Sequence, residues 1–158
     1  MSELQTVSRD ETIAVDALVD EVLVDLEPLA QEKKIKLIGN CKDTTMVGSD
    51  ILIYRMVYNL VENAIKYNHF GGQVTVTAYR KGKNICLSVE DTGSGIPAEL
   101  KERIFEPFFR VDKSRSRQLG GVGLGLALVH EIVRVHDGRI TVQSSPSGGT
   151  IFEVVFTQ

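Results

Sequence analysis

The chain has 158 residues, 42% of them hydrophobic and 25% charged, with a formal net charge of −3. That length suits one domain with a sizeable core, and so slight an acidic balance supplies no global field for nucleic acid or a membrane surface. No apolar run approaches the length needed to span a bilayer, and no signal-peptide pattern opens the sequence.

Residues 1–11 are polar and patternless and are expected to be a linker remnant, followed by one domain over 12–158. Thr12 to Val15 predicts a short strand. Asp16 to Lys33 has helical periodicity, with Val19, Leu23, Leu26 and Leu29 on one side and Pro28 as a weak point. Ile35 to Asn40 alternates as a strand does. Asp50 to Tyr67 is the longest helical pattern, with Ser49 or Asp50 as its N-cap. Gly71-Gly72 closes it. Val74 to Tyr79 and Ile85 to Glu90 predict two strands joined by a hairpin turn at Lys81-Gly82-Lys83-Asn84. Pro97 suits the first turn of a short helix. The stretch from Glu106 to Gly121 is irregular and basic. A helix is expected over Gly123 to His136, then a turn at Asp137-Gly138, a strand over Arg139 to Gln143, a loop, and a last strand over Thr150 to Phe156. Helices interleaved with hairpin-joined strands predict a mixed sheet with helices on one face. Cys41 and Cys86 have no neighbour at metal-ligand spacing and read as reduced thiols of a cytosolic core.

On the helix from Asp50 to Tyr67, Met56, Val57, Leu60, Val61 and Ala64 form one apolar face. Arg55, Asn59, Glu62, Asn63 and Lys66 lie opposite. Asn is a poor choice for a merely solvated helix face. Amide oxygens and an ammonium in one line suit a hard cation beside a phosphate. Asp91 shares the strand parity of Ile85, Leu87 and Val89, so it is expected to point inward, where a carboxylate needs donors. Asp91-Thr92-Gly93-Ser94-Gly95 gives a ligand close access to backbone. An exocyclic amine such as that of adenine would satisfy the acid. The same pattern also fits a strand-end Asp capping a turn.

Phe105-Glu106-Pro107-Phe108-Phe109-Arg110 precedes a run in which Arg110, Lys113, Arg115 and Arg117 face one acid, Asp112. An aromatic root with a cationic tip suits a lid over polyphosphate, and a solvated charge run fits as well. The glycine run Gly120 to Leu126 lets N–H groups meet a phosphate at a helix start. It does not follow a strand as a Rossmann turn would, and it lacks the Gly-Lys-Ser/Thr ending of a P-loop.

In order and spacing, these patterns resemble the ATP-binding catalytic domain of sensor histidine kinases, in the superfamily shared with gyrase, Hsp90 and MutL. Asn59-Leu60-Val61-Glu62-Asn63-Ala64-Ile65-Lys66-Tyr67 is similar to that family's N box and Asp91-Thr92-Gly93-Ser94-Gly95-Ile96 to its first glycine box. Phe105-Glu106-Pro107-Phe108 is similar to its F box, Gly121-Val122-Gly123-Leu124-Gly125-Leu126 to its second glycine box, and Gly148-Gly149-Thr150-Ile151-Phe152 to its closing strand motif. The resemblance implies a Bergerat-type α/β (α+β) two-layer sandwich, a mixed five-stranded sheet with three main helices on one face. It implies ATP and Mg2+ as cofactors, with Asn63 as metal ligand and Asn59 at the phosphate end. Lys66 and Tyr67 would contact phosphate and adenine, and Asp91 would accept from the adenine amine. Arg110 and Lys113 would reach the phosphates from the lid, and Gly121, Val122, Gly123, Leu124, Gly125 and Leu126 would hold the polyphosphate. Gly93, Gly95, Ile96, Phe108 and Thr150 complete the implied nucleotide set. Glu62, Asn63 and Lys66 form the implied catalytic set, with Glu62 orienting an acceptor imidazole.

By the same resemblance the γ-phosphoryl goes to a histidine of a separate dimerisation domain, in two-component signalling through a response regulator. The cytoplasmic part of a membrane-bound sensor, monomeric in isolation and without a nucleic-acid partner, is expected. His130-Glu131 imitates an acceptor motif but lacks the Thr-Pro that should follow, and His69 and His136 sit at element ends and read as surface residues. An excised domain without its own acceptor is expected. The other readings are a stand-alone anti-sigma factor serine kinase of the same superfamily and a non-catalytic nucleotide-dependent binding module.

Overall fold

The computed structural model describes residues 3–101, 103–106 and 125–158. Their strands are β1 (Glu11–Ala14), β2 (Lys36–Cys41), β3 (Thr45–Gly48), β4 (Gln73–Lys81), β5 (Asn84–Asp91), β6 (Arg139–Ser144) and β7 (Thr150–Thr157). Their α-helices are α1 (Val15–Glu32), α2 (Asp50–Lys66) and α3 (Gly125–Val135). Five strands form one mixed sheet in the order β2-β4-β5-β7-β6, with only the β2–β4 pair parallel. This is the expected two-layer sandwich.

Period-2 alternation builds the core. Val76, Val89 and Phe152 stand side by side across three strands, as do Ala78, Leu87 and Val154, and all are buried. Burying each of the larger of these side chains contributes on the order of 1.5–3 kcal/mol. The helices cover this face. Met56, Val57, Leu60, Val61 and Ala64 of α2 are buried as their spacing predicts, joined by Leu52, Ile53 and Ile65. In α1 the buried stripe is Val15, Leu18, Val19, Val22, Leu26 and Ala30, while Leu23 and Leu29 are only partly buried. The helix runs through Pro28.

Four features depart from the sequence expectations. Strand β3 was not expected. It is four residues long and pairs with β1 in a separate two-stranded sheet; its burial alternates, but exposed Val47 beside buried Met46 and Gly48 hides this in the sequence. After Pro97 only a 3-10 turn forms, Ala98–Leu100. The stretch read as polar and patternless contains another 3-10 turn, Glu3–Thr6, and Leu4 and Val7 pack against the core.

The fourth is His136, which is not a plain surface residue. Its Nδ1–H donates to the Ile132 carbonyl at 2.8 Å, and its Nε2 accepts from the Ser49 N–H at 3.0 Å. It thereby ties the end of α3 to the start of α2. Burial holds its pKa below the ordinary value. A neutral ring is required, because a protonated Nε2 cannot accept from Ser49. The native state therefore resists the proton that the unfolded chain takes up near pH 6.5. Stability from this group is complete above that pH and is lost as the pH falls through the lower folded value. Urea midpoints should fall between pH 7.5 and pH 5, and His136→Gln should flatten that part of the profile. An unchanged profile would refute this role.

Helix α2 is held at both ends by side chains from elsewhere. At its start the Ser49 Oγ accepts from the Leu52 N–H at 3.3 Å, and the Glu11 Oε1 accepts from the Asp50 N–H at 3.1 Å. At its finish the Lys33 ammonium donates to the carbonyls of Ile65, Lys66 and Asn68 at 3.2, 2.9 and 2.7 Å, where the helix dipole favours a cation.

Candidate nucleotide site

Asp91 ends β5 on the buried face, paired with Val74, as its parity predicts, and is only 8% exposed. Two backbone donors converge on its Oδ1, the N–H of Gly93 at 2.8 Å and that of Thr150 at 3.2 Å. Among the described residues no hydrogen bond reaches Oδ2. Burial pushes the carboxyl pKa up, and the two N–H groups partly offset this. One oxygen is thus locked by the fold and the other is held as a fixed acceptor.

The walls around Asp91 are backbone in close approach, which is why glycines stand there. A Cβ on Gly93 would lie 2.6 Å from the Tyr67 carbonyl, and one on Gly95 would lie 2.7 Å from the Gly148 carbonyl. Gly95 also has φ +78°, a conformation natural to glycine. The structure thus brings Tyr67, Asp91, Gly93, Gly95 and Thr150 together, although Thr150 is seen to take part through its backbone N–H. Ile96 and Leu126 pack in part against the core.

Asn59, Glu62, Asn63 and Lys66 are partly exposed on the face of α2 opposite the core, leading to Tyr67 at the cap. Lys66 and Glu62 approach to 3.9 Å, a loose pair on a wet surface worth little by itself. Asn59 also lines a shallow depression with Ile51, Tyr54, Arg55 and Tyr58. Among the described residues no group of three or more His, Cys, Asp or Glu side chains could hold a metal. Magnesium does not need one, since it keeps several waters and takes one or two protein oxygens beside phosphate. The amide oxygen of Asn63 fits that demand.

Gly125 is the first described residue of α3, and among the described residues nothing lies within 4 Å of a Cβ placed there. Phe108, Arg110 and Lys113, and Gly121, Val122, Gly123 and Leu124 of the glycine run, lie outside the described residues. Phe105 is described. It packs on the core, with its ring centroid 6.3 Å from that of Phe152 and 5.4 Å from that of His130.

Sequence reasoning missed three supporting residues. Asn68 is almost wholly buried. Its Nδ2 donates to the Gln73 carbonyl at 3.0 Å, while its Oδ1 accepts from the His69 N–H at 2.8 Å and the Thr92 hydroxyl at 3.1 Å. Ser145 accepts from the Gly149 N–H at 2.9 Å and fixes the loop before β7. Lys33 holds the end of α2 that leads into the site. Asn and Ser are ordinary turn residues, so composition alone does not distinguish these two.

The family model described as histidine kinase-, DNA gyrase B-, and HSP90-like ATPase matches residues 48–158. The sensor-like histidine kinase SenX3 of Mycobacterium bovis is 40% identical over 141 residues, covering 89% of this chain and 34% of SenX3. The chain thus spans about a third of the length of that curated relative. Among solved structures, the nucleotide-free catalytic domain of histidine kinase ThkA superposes with a TM-score of 0.84 at 27% identity, covering 95% of this chain and 96% of that one. The mycobacterial sensor histidine kinase MprB gives 0.83 at 27% identity, covering 94% and 97%. ThkA in complex with the response regulator TrrA gives 0.79 at 26% identity, covering 94% of this chain and 41% of that one.

Proposed function

Since this chain belongs to the histidine kinase-, DNA gyrase B-, and HSP90-like ATPase family, we propose that it binds Mg·ATP beside Asp91 and donates the γ-phosphoryl group to a histidine on a separate helical dimerisation domain. One observation carries the reading of the site. Asp91 Oδ1 is held by two backbone N–H groups, so Oδ2 is aimed and cannot turn away. A preorganised acceptor at the end of a buried strand is what an adenine amine needs. Gly93 and Gly95 let the chain's own backbone close around that acceptor, and Tyr67 stands at the same junction.

The stripe on α2 serves the phosphate end. Asn63 supplies an amide oxygen to Mg2+, which when bound neutralises phosphate charge. Asn59 steadies the phosphate end, and Lys66 exchanges its loose Glu62 partner for phosphate. Glu62 is then free to accept an N–H of the incoming imidazole and present its other nitrogen. Gly125 and Leu126 meet phosphate at the start of α3, continuing Gly121 to Leu124, with Arg110 and Lys113 as further cations. Phosphoryl transfer needs little else from the protein, because positioning and charge neutralisation supply most of the catalysis.

The parent kinase would act on the cytoplasmic side, where ATP is present, and pass the phosphoryl group to a response regulator. Among the described residues no helix is long and apolar enough to cross a membrane. Incubation with a separately purified acceptor domain and γ-labelled ATP tests the reading. Acid-labile label on histidine is the expected result. Label on serine of an antagonist protein would indicate the serine-kinase reading, and ATP binding without transfer to either would indicate a binding module.

Asn63→Ala tests the metal role. With Mg2+ present, ATP affinity should fall at least roughly tenfold, on the order of 1.4 kcal/mol. In EDTA the variant and parent should bind alike by calorimetry. An equal loss in EDTA would show that Asn63 does not act through the metal.

A further inference from the structure

The segment before β1 has more structure than a tether needs: it touches α3, and Glu11, the first residue of β1, touches α2. The Glu3–Thr6 turn is closed by the Val7 N–H to the Leu4 carbonyl at 3.1 Å and packs against α3. Leu4 and Val7 seat on the core. The Arg9 guanidinium donates back to the carbonyls of Gln5 and Val7 at 3.2 and 3.0 Å, which keeps the turn compact. Two residues on, Glu11 gives its carboxylate to the Asp50 N–H at the start of α2.

The Glu11 contact lies at the end of α2 remote from the candidate site. Asp50 is thirteen residues before Asn63, roughly 20 Å along the axis. The α3 residues that take part in the neighbouring tie, Ile132 and His136, are at its C-terminal end, while Gly125 at its start adjoins the glycine run. Helices α2 and α3 pack on each other. Holding the remote ends together therefore fixes the spacing of the near ends, where Asn63 and Gly125 stand.

We infer that residues 3–11 are a clasp that sets nucleotide affinity by locking α3 against α2 through Leu4, Val7 and Glu11. A pull on the chain from its N-terminal side unseats Leu4 and Val7, lets α3 shift along α2, and weakens binding. This rests on the reading of the Asp91 site as the place where ATP binds.

The test compares the full chain with the double variant Leu4→Asp/Val7→Asp, and with Val24→Asp as a control on the exposed face of α1. Calorimetric titration with Mg·ATP should show affinity weakened about five- to tenfold in the double variant, the range of a modest coupling between sites. Hydrogen exchange without nucleotide should speed up at the amides of residues 129–133. Val24→Asp should change neither. Fast exchange at the Val7 amide shows that the clasp is open, and unchanged affinity in that state overturns the inference. If the double variant does not fold, Glu11→Ala cuts the α2 tie without burying a charge. It should weaken affinity about two- to fivefold, and no change overturns the inference. A parent chain that fails to bind ATP overturns the reading of the site and the clasp together. A parent that binds, with variants that bind equally, overturns the clasp alone.

Discussion

Asp91→Asn should lower ATP affinity about 100-fold while leaving the fold as stable as the parent or more so. A hydrogen bond to a charged group is worth about 1.5–3 kcal/mol, and about 2.7 kcal/mol corresponds to that factor. The fold dictates which way the new amide turns. Oδ1 accepts from the N–H groups of Gly93 and Thr150, so the amide oxygen takes that place and its NH2 faces the nucleotide. A donor then meets the adenine amine, and selectivity for ATP over GTP should collapse with the affinity. Stability moves independently. Burial raises the Asp91 pKa, so the carboxylate form is disfavoured by folding, and a neutral isostere removes that burden. The same sign means that parent affinity should fall on acidification as the carboxyl protonates above its ordinary value of about 3.9. Calorimetric binding and thermal melting on one preparation separate the two effects. Unchanged affinity would remove Asp91 from the site.

Gly149→Ala should be the most damaging single methyl group in the described chain. The new Cβ would sit on the Asp91 carbonyl oxygen, 2.8 Å from its carbon and 2.9 Å from Oδ1. Gly149 does not have a positive φ, so the cost is collision and not backbone strain. Backbone cannot rotate out of the way as a flexible side chain can. The loop before β7 must lift, which stretches the Thr150 N–H to Oδ1 bond and those linking Ser145 and Gly149. Overpacking with broken buried hydrogen bonds costs about 3 kcal/mol or more. In a domain of this size that is a fall in melting temperature of roughly 6–12 °C. ATP affinity should fall as well, because Asp91 loses its anchor. Gly125→Ala is the contrast, since no described residue lies within 4 Å of a Cβ there, and melting should stay within about 2 °C. A Gly149→Ala melting point equally close to the parent would show that the junction is not rigid.

The part of the site that could be read in advance followed from local period. Spacing on α2 separated a buried apolar face from the Asn59, Asn63 and Lys66 stripe, and strand parity put Asp91 inside. Residues without a period escaped. Asn68 and Ser145 look like any turn residue, and β3 alternates in burial but carries an exposed Val47 and a buried Gly48 that mask the pattern. His136 looked like a surface residue at a helix end, yet its partner on α2, Ser49, is 87 positions away.

The sequence by itself determined most of the long elements, the main buried faces and the order of the boxes, because a side chain three or four positions along a helix, or two along a strand, is a neighbour in any fold. Only the tertiary structure decided which of those residues meet. Thr150 reaches Asp91 from 59 positions away, and Lys33 reaches the end of α2 from 32 to 35. It also showed a packed turn among the first residues, which carry no pattern in the sequence. Such pairs are chosen by the sheet order and the packing of helices on it, which place distant backbone donors and acceptors where water is excluded and each must find a partner.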